Sequence, residues 1–233
     1  MLSDILEFTE TQLLTKASKS MSITKTNLLL ALVLITAQDV FTHHSESYLI
    51  FEGRLTKADG TLYINADDIA LTKNTIMHLF SRIEYHLSNQ LIESLNYPGQ
   101  ATTMLGLLKY PDDFSKEQGS INCGIKTRQQ LQQYADKNGF AARHAYLIQS
   151  PTVKGTFSFR IPLKHNFGFC EDFDKIVYGL KHSLTLVRKT DDGAIFREAP
   201  AGAGKVSLDK MSWFMPHVIP ADAEKFSIYK IIE

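Results

Sequence analysis

Apolar and polar residues alternate with a period of two over several stretches of this chain. From Thr156 onward, Phe157, Phe159 and Ile161 fall on one side, with Ser158, Arg160 and Pro162 on the other. Leu184, Leu186 and Arg188 alternate with Ser183, Thr185 and Val187 in the same way. Ser81 to Ile92 sets Ile83, Tyr85 and Leu87 against Arg82, Glu84 and His86, turns at Ser88-Asn89-Gln90 and returns through Leu91 and Ile92. This patterning marks half-buried strands. Between the first two runs lies an aromatic, acidic corner, Phe167 to Asp174, where Gly168 is expected to permit a sharp bend.

Further elements follow from the same reading. Tyr48–Thr56 and Thr61–Ile64 flank Asp59-Gly60, a hairpin signal. Leu184–Arg188 and Ala194–Glu198 flank a second Asp-Gly turn, and Lys205–Phe214 and Lys225–Ile232 read as strands. Residues 1–20 carry loose helical spacing, Lys25–Ala37 fits a buried strand or a helix, and Asn74–Leu79 forms a short connector. Gln100–Tyr110 reads as a helix ended by Pro111, with Met104, Leu105, Leu107 and Leu108 packed into the core. Thr127–Lys137 reads as a second, solvated helix closed by Asn138-Gly139. The sum is a mainly β protein, a jelly-roll β-sandwich with short inserted helices.

Composition narrows the class. The 233 residues are 44% apolar, which excludes disorder, and 25 basic residues balance 25 acidic ones. Charge therefore points to no specific nucleic acid and no membrane as partner. Two cysteines, Cys123 and Cys170, make no disulfide framework. The longest apolar run, Leu28–Ile35, has eight residues, against roughly 20 for a membrane span. Lys16, Lys19 and Lys25 before it outline a signal peptide, but Asp4, Glu7 and Glu10 break that pattern.

Candidate chemistry is sparse. Gly202-Ala203-Gly204-Lys205 resembles part of a phosphate loop, yet Ala199 and Val206 stand where that loop needs a glycine and a hydroxyl. His43 and His44, read on a strand, point to opposite faces and cannot share a metal. His165, Cys170, Glu171, Asp172 and Asp174 are ligand types at no closed-site spacing, so Cys170 reads as packing beside a solvated acidic turn. Asp67-Asp68 and Asp112-Asp113 are expected to cap turns. Trp213 reads as a core or interface anchor, and the basic residues of Lys126–Arg143 as a solvated face. No catalytic, cofactor-binding or metal residue is assigned, and no cofactor is expected.

Three phrases then carry a resemblance: Asn96–Phe114 (NYPGQATTMLGLLKYPDDF), Phe159–Arg188 (FRIPLKHNFGFCEDFDKIVYGLKHSLTLVR) and Ser212–Lys225 (SWFMPHVIPADAEK). They resemble the double jelly-roll major capsid proteins of Maverick/Polinton-type elements and adintovirus-like viruses. His78–Ile92 is similar to the strand and turn after that family's first hairpin. The resemblance covers about Ser47 to Glu233. It implies 47–197 as a first jelly roll, while 1–46, partly helical by its spacing, departs from the family as an atypical N-terminal segment. It further implies 198–204 as a flexible linker and 205–233 as the start of a second, truncated roll. Asn166 departs from it, standing where an apolar residue is expected.

The implied function is structural: a capsid-type protein acting by self-assembly, without catalysis. Its partners would be itself, in a homotrimeric capsomer, and other capsid proteins. Its place would be the virion if viral and otherwise inside the cell. Two rival readings stand beside it: a jelly-roll module binding a glycan or small ligand through Tyr85, His86, Trp213 and His217, and an enzyme using Cys170 with a histidine.

Overall fold

The computed structural model describes residues 16–24, 30–35, 40–109, 143–149, 154–197 and 204–219. Its frame is two four-stranded antiparallel layers. One runs in the order β1 (Lys16–Thr24), β12 (Gly204–Val218), β4 (Tyr48–Lys57) and β8 (Thr156–Pro162). The other runs β2 (Leu30–Ile35), β10 (His182–Arg188), β6 (Phe80–Leu87) and β7 (Gln90–Asn96). Eight strands in two such sheets are a jelly roll. A short pair, β3 (Phe41–Thr42) with β9 (Val177–Tyr178), extends the first sheet, and β5 (Ile69–Leu71) pairs with β11 (Ile195–Arg197) apart from both.

The alternation read from the sequence faces the space between the layers. Phe157, Phe159 and Ile161 are buried while Thr156, Ser158 and Arg160 are exposed. Leu184 and Leu186 are buried from β10, and Ile83 and Tyr85 from β6. Across the gap they meet Leu49, Phe51 and Leu55 of β4 and Val206, Met211, Trp213 and Met215 of β12 in one apolar cluster. Ring contacts cross between the sheets at Tyr85–Trp213 (6.3 Å) and at Phe51–Phe80 (5.9 Å). The β6–β7 turn is the two residues Ser88 and Asn89, both at positive φ (45° and 70°), the twist a tight hairpin requires.

Several expectations are corrected. Residues 16–24 are a strand, not helix, and Leu30–Ile35 takes the strand alternative, so much of 1–46 belongs to the roll. Residues 204–218 do not open a second roll: they form the central strand of the first sheet, bonded to β4 along 204–214 and to β1 along 210–218. A strand offers two edges, and those of β12 are used within this roll. The same rule limits two hairpins. The Lys57 amide donates to the Thr61 carbonyl at 2.8 Å and closes the turn, but Thr61–Ile64 continues no further along β4, whose edges carry β8 and β12 over 48–54. There Asp59 instead accepts from the Thr61 amide and hydroxyl, and Asp67 accepts from the Ile64 amide at 2.9 Å. Ile195–Arg197 cannot return along β10, flanked by β2 and β6, and pairs with β5.

The helices are short. α1 (Thr75–His78) is the expected connector and α2 (Pro98–Lys109) the expected helix. The face of α2 is the reverse of the expected one. Met104, Leu105 and Leu108 are 63%, 41% and 88% exposed, while Pro98, Gly99, Thr102 and Gly106 are buried. A Cβ on Gly99 would come within 2.5 Å of the His78 ring, so close approach selects the small-residue face. The helix expected at Thr127–Lys137, the strand at Lys225–Ile232, Asp112-Asp113 and all of the linker 198–204 but Gly204, which opens β12, lie outside the described residues.

Gly53 sits where β4 passes closest to its neighbours: a Cβ there would lie 2.2 Å from the Ser207 carbonyl oxygen and 2.7 Å from the Phe157 ring. Gly53→Ala should therefore lower stability by about 1–3 kcal/mol. Urea unfolding would register it as a lower midpoint at unchanged slope.

Candidate functional site

The corner between β8 and β10 is built over one end of the sandwich. Pro162 ends β8, and a 3₁₀ turn at Leu163–His165 follows, anchored where the Leu163 amide donates to the Ser47 carbonyl at 2.9 Å. A one-turn helix, α3 (Gly168–Asp172), comes next. Glu93 of β7 accepts from the Gly168 amide at 3.1 Å and the Phe169 amide at 2.9 Å, satisfying donors that the first helical turn leaves free. The bend does not depend on glycine freedom: Gly168 has no positive φ, and a Cβ there would meet nothing nearer than 3.8 Å.

Beneath the corner, buried polar side chains form a directed chain. The Thr42 hydroxyl donates to the Val177 carbonyl at 2.9 Å, so toward His182 Nε2, also at 2.9 Å, it acts as acceptor. That leaves His182 Nδ1 to accept from the Tyr85 hydroxyl at 2.6 Å. These partners assign His182 as the neutral Nε2–H tautomer. Burial pushes its pKa down to about 3, helped by His44 and His217, and pushes Tyr85 well above the usual phenol range, with Cys170 adding to it. His44, also fully buried, stacks on Phe169 (4.7 Å) and Phe173 (5.6 Å) and lies 6.5 Å from the His182 ring. Among the described residues its ring nitrogens reach no partner in hydrogen-bonding geometry, and burial, then His43, lowers its pKa to about 4.

At the rim, His43, Ser45 and Asp174 come together in the residue types of a nucleophilic triad. His43 Nε2 lies 2.7 Å from Asp174 Oδ1 and 2.9 Å from Ser45 Oγ, and Ser45 donates to the same carboxylate oxygen. A nucleophilic serine must give its proton to the imidazole while the carboxylate holds the other ring nitrogen. Here serine and imidazole both point their protons at one carboxylate. The arrangement is a clamp tying residues 43–45 to the loop after α3. Both hydrogen bonds hold the Asp174 carboxyl below its ordinary value, that from Ser45 first.

The other sequence candidates are dispersed. Glu171 pairs with Lys109 at the end of α2, Asp174 belongs to the clamp and Cys170 is fully buried in the core. Among the described residues no group of three ligand-type side chains could hold a metal. His43 and His44 do diverge, though at the start of a 3₁₀ turn rather than on a strand. Lys205 lies in β12 opposite Thr56, where its backbone cannot wrap a phosphate. Asp67 caps its turn and pairs with Lys57 at 3.0 Å. Tyr85 and Trp213 are both fully buried, and His86 follows Tyr85 on the opposite face of β6, so with His217 they line no common ligand site. Cys123 lies outside the described residues.

Sequence reading missed His182 and Thr42. The signal for His182 was present: it stands two residues before Leu184, and extending the alternation of β10 places it inside. Thr42 gave none, because its role depends on the β3–β9 pairing that brings Val177 beside it.

Two predictions follow from burial here. Cys170, its thiol pushed up to about 12 by burial with Glu93 adding to it, should resist iodoacetamide in the folded protein and react on unfolding, as read by site-resolved mass spectrometry. Asn166 is 7% exposed, and neither atom of its amide has a partner among the described residues. Asn166→Leu removes that unmet demand and should raise stability by about 1–2 kcal/mol in chemical denaturation.

Comparison with known proteins adds the family. No curated protein sequence matches the chain. Among solved structures it is similar to a quasi-atomic model of the PBCV-1 virus capsid, at 11% identity and TM-score 0.44, over 92% of this chain and 45% of that one. The chain thus spans less than half the length of that capsid chain. The model of the double jelly roll-like domain matches residues 69–233. That match takes in β5 to β12, most of the roll described above, and the chain belongs to the double jelly roll-like domain family.

Proposed function

We propose that the chain is a capsid-type structural protein that acts by self-assembly and carries no catalysis, from a virus-like mobile element of the Maverick/Polinton kind. Family membership supports a structural role, and the wiring of the polar residues agrees with it. Most of the polar groups described above, Asn166 and His44 apart, are spent on turns, caps and clamps.

The observation that carries the reading is an apolar run left on the outside. Leu91 and Ile92 of β7, Tyr97 beyond it, and Met104, Leu105 and Leu108 of α2 are exposed at 53%, 40%, 59%, 63%, 41% and 88%. They follow one another over 18 residues, from the outermost strand of one sheet into the adjoining helix. Large apolar side chains left exposed in this number mark surface that contacts protein. Copies of the chain, three to a capsomer, and other capsid proteins are the partners this reading assigns, with the virion as the place.

The purified chain should run above monomer mass in multi-angle light scattering. Leu105→Asp with Leu108→Asp should return it to monomer with its circular dichroism unchanged, because both side chains are exposed and should alter stability by only about 0.5 kcal/mol each. A wild-type chain that stays soluble and strictly monomeric at high concentration would sink the proposal.

A further inference from the structure

The corner over the sandwich end is held by a small number of contacts that meet around two imidazoles. β9 pairs with β3 through residues 177–178 and 41–42, the Asp174 clamp grips 43–45 and Glu93 holds α3. At the centre His44 stacks between the corner's aromatic rings and the ring of His182. His182 in turn joins β10 to β6 through Tyr85 and to β3 through Thr42.

The groups facing the pair are few. Toward His44 they are His43, Asp174 and the peptide groups of Phe169 and Phe173. Toward His182 they are Tyr85 from β6, Thr42 from β3, His44 and His217, with Cys170 near Tyr85. The one carboxylate among them, Asp174, is bonded to His43 and Ser45 at the rim. A proton added to His182 must go to Nδ1, which then loses the Tyr85 hydroxyl as donor, and two imidazolium rings 6.5 Å apart in the interior repel.

We propose that His44 and His182 form a proton-operated latch. Neutral, they fasten residues 163–178 and the β3–β9 pair to the sandwich; protonated on acidification, they free that end while the two four-stranded sheets stay paired. Opening uncovers Phe169 and Phe173. The latch does not depend on self-assembly and would operate in a monomer.

The pH direction follows from burial. Both histidines titrate in the folded protein below the ordinary 6.5, at about 4 for His44 and about 3 for His182. The stability they contribute is therefore complete above about pH 6.5 and is lost as pH falls through the folded values.

The test is hydrogen exchange on the whole chain, normalised for intrinsic rates, from about pH 7 down to about pH 4. Amides in 40–46 and 163–178 should lose at least about tenfold in protection while 80–87 and 204–214 keep theirs. Trp213 is the chain's single tryptophan and stands edge-on to His182 at 6.5 Å, so its fluorescence should fall over the same range as the imidazole gains charge. His44→Phe with His182→Gln, which leaves every carboxylate in place, should move the opening at least about one pH unit lower. An unchanged midpoint in that variant, or simultaneous loss of corner and sheets in the wild type, would overturn the latch. Should the variant not fold, NMR titration of the wild-type ring carbons decides. Titration of both histidines near 6.5 with the corner still protected overturns the latch, and coincident titration and opening supports it.

Discussion

A strand has two hydrogen-bonding edges, and the architecture of this protein depends on how those of β12 are filled. Its fifteen residues take β4 and then β3 along one edge. β1 overlaps the registers of both, over 210–218, and so lies along the other. This one strand therefore joins the beginning, middle and end of the described chain in a single sheet. Trp213 projects from it into the core, and its ring packs near Tyr85 and His182 of the facing layer. Backbone pairing sets the sheet, and apolar side chains at every second position hold the two sheets together.

The same economy governs the polar interior. A buried donor or acceptor without a partner costs more than a surface one gains, and most of the polar residues beneath the corner have their partners chosen by topology. Thr42 meets Val177 only because β3 pairs with β9. Glu93 meets the start of α3 only because β7 is the outermost strand on that side. Among the described residues the Asn166 side-chain amide is an exception, buried with no hydrogen-bond partner, as is the Trp213 Nε1–H. His44 is a milder one, tolerated because a neutral imidazole can stack on phenyl rings at its faces.

What the roll leaves outside matters as much as what it encloses. α2 turns its small residues inward because His78 and the short α1 lie too close for larger ones. Its large residues are left on the surface, following the exposed leucine and isoleucine of β7. Their exposure follows from a packing constraint within the fold.

The local pattern of residues was enough to establish the mainly β class, strands over 48–56, 156–162 and 183–188, a strand, turn and return over 81–92, and the inward faces of β8 and β10. Period-two alternation is a short-range property that any half-buried strand must carry. It was also enough to read Cys170 as packing and Trp213 as a core or interface anchor, while the family resemblance marked Asn166 as out of place. Strand partners were beyond it, since a strand's pattern records which face is buried and not which chain segment lies alongside. Thr61–Ile64 and Ala194–Glu198 accordingly read as hairpin arms although the neighbouring edges were largely occupied, and Lys205 onward read as a new domain although residues 204–218 pair within this sheet. The burial of α2 by its small residues and the meeting of His44 with His182, 138 positions apart in the chain, likewise belong to the tertiary structure alone. Both result from close approach between segments that do not encode their distance from one another.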